Sequence, residues 1–103
     1  MSSSQAKPTT SDAGLAALAK AIGHPARVQI VRLLAARDAC YVGELAGELP
    51  LAQSTISEHL RILREAGVVN SGTLEGRPCY CLSGGQLEAL AEGVSGLGDS
   101  DCC

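Results

Sequence analysis

A mainly α-helical domain with one small β-hairpin is the fold class that this chain of 103 residues predicts. Three observations predict it. Residues 43–67, GELAGELPLAQSTISEHLRILREAG, read as a short helix, a turn and a second helix. On that second helix Ala52, Ile56, Leu60 and Leu63 are spaced four, four and three, so they share one stripe. Directly after it, two β-prone runs, 68–74 and 79–82, are joined through Glu75-Gly76-Arg77 and read as a hairpin. Two helices across a tight turn, followed by a hairpin with a basic tip, make a winged helix-turn-helix.

Each element has a local reason. Ser11 or Asp12 caps a first helix whose stripe is Leu15, Leu18, Ala19 and Ile22. Gly67 suits the position just past a helix that needs φ > 0. A last helix starts near Ser83-Gly84-Gly85 and carries Leu87, Leu90, Ala91, Val94 and Leu97 on one face. Ala52 stands where Ser or Asp would cap the second helix of the pair, which weakens that helix end by about 1 kcal/mol. The domain is expected over residues 13–97. A polar segment, 1–12, is expected to be a disordered tail, and 98–103 a flexible tail ending in cysteines. So small a core is marginal alone and gains from a partner.

The chemistry lies on the polar face of the second helix. Ser54, Ser57, Glu58 and Arg61 point away from its apolar stripe, with Gln53 and Thr55 in the first turn. Small hydroxyls, an amide and a guanidinium are the groups that reach base edges and phosphates. Gln53, Ser54, Thr55, Ser57, His59 and Arg61 are therefore expected to read or grip double-stranded DNA, with Arg77 anchoring the wing. With two Tyr and no Phe or Trp, the chain lacks the stacking platforms used on single strands. The net charge of −3 counts against DNA. Placing Arg27, Arg32, Arg61, Arg64 and Arg77 near the helix pair and wing would offset it locally. No apolar run is long enough to span a membrane, and the N-terminus has no apolar signal core, so a cytoplasmic location is expected. Nothing suggests an enzyme: there is no nucleophile–base pair, phosphate loop or paired carboxylates.

These residues also carry a family resemblance. The series Ala21-Ile22-Gly23-His24-Pro25-Ala26-Arg27, Ile30-Val31-Arg32-Leu33-Leu34, Gly43-Glu44-Leu45, Gln53-Ser54-Thr55-Ile56-Ser57-Glu58-His59-Leu60 and Leu63-Arg64-Glu65-Ala66-Gly67-Val68-Val69 closely resembles the ArsR/SmtB family over roughly residues 14–97. Those proteins are small dimeric winged-helix repressors that leave DNA when they bind a metal or metalloid. The resemblance implies a homodimer built from the first and last helices, through Leu15, Leu18, Ile22, Leu87, Leu90 and Val94. Such a two-fold would read a pseudo-palindromic operator with half-sites one DNA turn apart.

Five cysteines, Cys40, Cys79, Cys81, Cys102 and Cys103, frame the question of the inducer. An odd number of thiols in a reducing compartment argues against a disulfide framework. Soft thiolates select trivalent arsenic, as arsenite or methylarsenite, or else Cd(II), Zn(II) or Pb(II). The two histidines are poor ligands: His24 is expected to cap a turn and His59 to pack or touch phosphate. Two or three of the five cysteines are expected to bind the inducer. In a winged helix the segment before the helix pair can join the returning wing strand, bringing Cys40 towards Cys79 and Cys81. Cys79 and Cys81 share a strand face roughly 6–7 Å apart. Cys102-Cys103 is a vicinal dithiol in polar surroundings. Members of the family that sense arsenic through the first helix of the pair have Cys-x-Cys where this chain has Tyr41-Val42-Gly43. That departure favours a site built from wing or tail, and two thiols would suit a monomethylated arsenical. The alternatives are a thiol-redox regulator on the same scaffold and a dimerisation module that does not bind DNA.

Overall fold

The computed structural model describes residues 11–37 and 40–98. Helix α1 (Asp12–Ile22) leads into α2 (Pro25–Ala35), then strand β1 (Cys40–Tyr41), α3 (Val42–Glu48) and α4 (Gln53–Glu65). The wing is β2 (Val69–Leu74) and β3 (Arg77–Leu82), and α5 (Gly84–Leu97) follows it. This is the expected winged helix-turn-helix. The spacing argument had not singled out α2, whose Ala26, Ile30 and Leu34 are buried at i, i+4 and i+8.

Local chemistry sets the helix ends. Ser11 caps α1, its hydroxyl accepting from the Gly14 N–H at 3.0 Å, so Ser11 and Asp12 belong to the domain rather than to a tail. His24 caps α2: its Nδ1 accepts the Ala26 N–H at 3.0 Å, and Pro25 opens the helix where a missing N–H costs nothing. Ala52 is the residue before α4 and makes no side-chain cap. It is exposed, so the buried stripe is Ile56, Leu60 and Leu63, each at 0% exposure. The end of α4 is a Schellman turn. The Gly67 N–H donates to Arg64 O at 2.9 Å and the Val68 N–H to Leu63 O at 2.9 Å. Gly67 has φ +82°, and Leu63 and Val68 are both fully buried beside it.

The sheet has three strands in the order β1-β3-β2, all antiparallel, so the returning wing strand is central. Glu75 (φ 54°) and Gly76 (φ 77°) alone form the turn, as a two-residue hairpin with positive φ at both positions requires. Arg77 is consequently the first residue of β3, paired with Leu74, and not part of the loop. Pro78 is tolerated in this central strand because β1 pairs only with Cys79 and Tyr80 and ends before reaching it. The core joins Leu18, Ile30, Leu34, Leu45, Leu49, Ile56, Leu60, Leu63, Val68 and Val69, with Tyr80, Leu82, Leu87 and Leu90 packed on its margin.

The stripes of α1 and α5 divide. Leu18 is 4% exposed within the chain, whereas Val94 and Leu97 are 51% and 75% exposed. Gly93 lets α5 approach α1, since a Cβ there would stand 2.7 Å from a Leu15 methyl. Among the described residues no helix is long and apolar enough to cross a membrane.

Gly67→Ala should destabilise the domain by about 1–2 kcal/mol, the cost of a β-carbon in a left-handed conformation. The added Cβ would also meet the Gln86 side chain at 3.3 Å. Urea unfolding followed by helix circular dichroism measures it.

Candidate nucleic-acid interface

The exposed surface of α4 carries Gln53, Ser54, Thr55, Ser57, Glu58, Arg61, Arg64 and Glu65. Burial of the opposite stripe forces this, because the 3.6-residue repeat leaves those side chains no other direction. The first turn is the best-equipped part. Its first intrahelical bond is Ile56 N–H to Ala52 O at 3.0 Å. The N–H groups of Gln53, Ser54 and Thr55 therefore lack helical acceptors and lie beside hydroxyls and an amide, a set suited to a phosphate oxygen.

Two expected DNA residues sit differently from the rest. His59 is half-buried, its Nδ1 accepting from an Arg27 Nη at 3.1 Å. Arginine has only donors, so this nitrogen is unprotonated. The His59 ring also lies 4.7 Å from that of His24, tilted by 48°. His59 thus locks α4 to α2, away from the exposed face. Burial, the nearby His24 and the Arg27 charge hold its pKa below the ordinary 6.5. Arg61 remains on the exposed face but is engaged. It donates to Glu65 at 2.7 Å and grips both Glu58 oxygens. The hydrogen bond from Arg61 draws the Glu58 pKa below its ordinary value, and the two carboxylates raise that of Arg61. Spacing alone signals both pairs, at i,i+3 and i,i+4.

The remaining arginines also separate. Arg27 turns inward, its Nε donating to Ala21 O at 2.6 Å and so closing the end of α1. Arg32 and Arg64 are exposed. Arg77 is stacked on Tyr41, its Cζ 3.7 Å from the ring centroid. The Tyr41 hydroxyl donates to Leu74 O at 3.2 Å, on the other side of the wing turn. In the sequence Tyr41 stands out only as the residue in place of a cysteine; its aromatic character beside a strand is the available signal for this contact.

Two of the thiols lie on the outer face of the sheet. Tyr80 and Leu82 pack on the core margin, so alternation puts Arg77, Cys79 and Cys81 on the outer face. Cys79 and Cys81 are free and half-buried, opposite Gly72 and Asn70 of β2. The segment before α3 does pair with the wing strand, as expected. Its register sets Cys40 against Tyr80 and Tyr41 against Cys79, so Cys40 is out of phase with the other two cysteines. Cys102 and Cys103 lie outside the described residues. Among the described residues no group of three or more His, Cys, Asp or Glu side chains could hold a metal ion.

Comparison with known proteins bears on this geometry. The family model described as "Bacterial regulatory protein, arsR family" matches residues 24–71. The HTH-type transcriptional regulator CmtR of Mycobacterium tuberculosis is 42% identical over 84 residues, covering 79% of this chain and 69% of CmtR. The transcriptional activator HlyU of Vibrio cholerae is 37% identical over 75 residues, 73% of this chain and 68% of HlyU. A solved HlyU structure from that organism has a TM-score of 0.68 at 34% identity, covering 85% of this chain and 95% of HlyU. An ArsR-like transcriptional regulator from Rhodococcus sp. RHA1 has a TM-score of 0.76 at 26% identity, over 84% and 81% of the two chains. Other curated relatives are spanned less fully: 58% of the length of a regulator of Methanocaldococcus jannaschii and 48% of a biofilm growth-associated repressor of Agrobacterium fabrum.

Two outcomes are expected. His59 binds its proton less readily folded than unfolded, so the unfolded chain holds more protons as pH falls below 6.5. Stability should be complete above that value and decline as pH drops through the lower folded pKa. Urea midpoints between about pH 7.5 and pH 5 should show the decline, and His59→Gln should flatten it. Separately, Glu58→Gln with Glu65→Gln should free Arg61. Duplex affinity should then rise several-fold, and the salt dependence should steepen by about one unit for each Arg61 brought to the duplex, as fluorescence anisotropy would read it.

Proposed function

Because the chain belongs to the arsR family of bacterial regulatory proteins, we propose that it is a homodimeric repressor released from its operator by trivalent arsenic bound to cysteine thiolates. Membership itself makes it a DNA-binding transcriptional regulator and not an enzyme. The arsenical, the operator and the dimer are the further steps.

The observation that carries the reading is the place of Cys79 and Cys81 on the central strand of the sheet. One neighbour of that strand is the outer wing strand; the other, β1, runs directly into α3 of the helix pair. A ligand gripped by these thiols would pull on both DNA-contacting parts at once. Its preference for the distorted state over the DNA-bound one sets how far the equilibrium moves. Two thiolates on one tetrahedral ion stand roughly 3.8 Å apart when each bond is about 2.3 Å. A disulfide needs about 2.05 Å, which residues two apart on an extended strand reach only with strain. The pair therefore favours an ion over an internal disulfide. Two thiols satisfy methylarsenite; inorganic arsenite takes a third, which Cys102 or Cys103 would supply, since the register sets Cys40 out of phase with the pair. Cd(II), Zn(II) and Pb(II) are the competing soft ions.

The dimer is supported by what the chain leaves bare. Val94 and Leu97 are apolar and more than half exposed, in line with Leu87 and Leu90 on α5, the helix whose Gly93 meets Leu15 of α1. Burying that continuation against a symmetry mate would give the two copies of α4 a common axis and a pseudo-palindromic site. On DNA, Gln53, Ser54, Thr55 and Ser57 would meet bases and phosphates, Arg61 would act once freed from its carboxylates, and Arg77 would serve the wing.

The test is a titration of fully reduced protein with arsenite, methylarsenite, Cd(II) and Zn(II), following sulfur-to-metal charge-transfer absorbance. Wild type is compared with Cys79→Ser/Cys81→Ser and Cys102→Ser/Cys103→Ser. Stoichiometric arsenical binding lost in the first double variant, together with loss of arsenical-driven duplex release, is expected. Release of duplex by excess arsenite from a variant without cysteines would sink the mechanism. A response to peroxide in metal-free buffer, with no ion bound, would transfer it to thiol oxidation.

A further inference from the structure

We infer that Tyr41 is a positioning residue for the wing, holding Arg77 ready for a DNA phosphate or the minor groove. The inference rests on the reading of Arg77 as the wing's DNA contact. Residues 70–78 are all exposed, so no buried side chain anchors the outer half of the hairpin. A two-stranded ribbon of that kind is at best marginally ordered by itself. Tyr41 supplies the missing attachments. Its ring lies under the Arg77 guanidinium, and its hydroxyl bonds Leu74 O, so both residues flanking the turn are tied to one side chain. The backbone of Tyr41 is fixed in turn. It pairs with Cys79, and its N–H donates to Glu44 Oε1 at 2.8 Å at the start of α3. One residue thereby references the wing tip to the helix pair.

The stacking geometry keeps Arg77 useful. A guanidinium lying on an aromatic ring uses its face, while its N–H donors point outward in its own plane and stay open to an oxygen acceptor. Holding the long side chain in place beforehand also reduces the freedom lost on binding. Tyr41 itself needs no contact with DNA.

The experiment uses full-length protein and a 30-base-pair duplex that wild type selects from a random pool. Affinity is measured against salt for wild type, Arg77→Ala, Tyr41→Leu, Tyr41→Phe and the Tyr41→Leu/Arg77→Ala and Tyr41→Phe/Arg77→Ala pairs. Arg77→Ala should weaken binding about five- to tenfold and make the salt slope shallower by about one unit per subunit. Tyr41→Leu should reproduce both effects and add little in the Arg77→Ala background. Tyr41→Phe, which keeps the ring and loses the hydroxyl, should fall between and also lose its effect without Arg77. The Arg77 Nε–H proton should show an upfield ring-current shift in wild type and Tyr41→Phe that Tyr41→Leu abolishes. If Tyr41→Leu does not fold, the Phe cycle and the proton shift decide alone. Wild-type affinity and slope in Tyr41→Leu beside a weakened Arg77→Ala would overturn the inference by itself, as would equal losses with and without Arg77. An unaffected Arg77→Ala, or a pool yielding no duplex, would remove the underlying wing or DNA reading and this inference with it.

Discussion

The stripe Ile56–Leu60–Leu63 is sealed against the rest of the chain at 0% exposure, and the orientation of α4 follows from it. Burying each such side chain is worth about 1.5–3 kcal/mol. An exposed ion pair such as Arg61 with Glu58 or Glu65 contributes at most about 1 kcal/mol. Burial therefore decides which way the helix faces, and the polar side chains take what direction remains. Leu45 and Leu49 of the preceding helix and turn, Val68 and Val69 of the wing, and Ile30 and Leu34 of α2 all meet in the same core. The helix pair, the wing and the outer helices thus share one apolar cluster, and a change in any of them is felt at α4.

Polar contacts refine what burial sets. Arg27 of α2 ties three helices together: it closes the end of α1 through Ala21 O and braces α4 through His59. The price of this bracing is a basic residue withdrawn from the DNA side of a chain whose net charge is already −3. Arg61 is likewise engaged, by two carboxylates of its own helix. Such a surface has weak non-specific attraction for a polyanion and depends on placed donors and shape for its selectivity.

The outer face of the sheet gathers the other half of the chemistry. Cys81, Cys79 and Arg77 follow one another along it, with Tyr41 registered beside Cys79 and stacked on Arg77. Thiols suited to a soft ligand and the cation suited to phosphate are consequently neighbours on one strand.

How much was legible in advance depends on the range of the interaction involved. Helix stripes, the Ser11 and His24 caps and the left-handed Gly67 follow from neighbours a few positions apart, so the amino-acid order determines them directly. Even the bare cap at Ala52 and the pairing of β1 with the wing were readable. Periodicity names a face, but it does not say what that face will meet. Only tertiary packing turned His59 towards Arg27, brought Arg77 into the strand and onto Tyr41, and divided the α1 and α5 stripes between core and surface. Strand register decided the rest. The register sets Cys40 against Tyr80 and so out of phase with Cys79 and Cys81, and that phase is set by pairing between segments some forty residues apart.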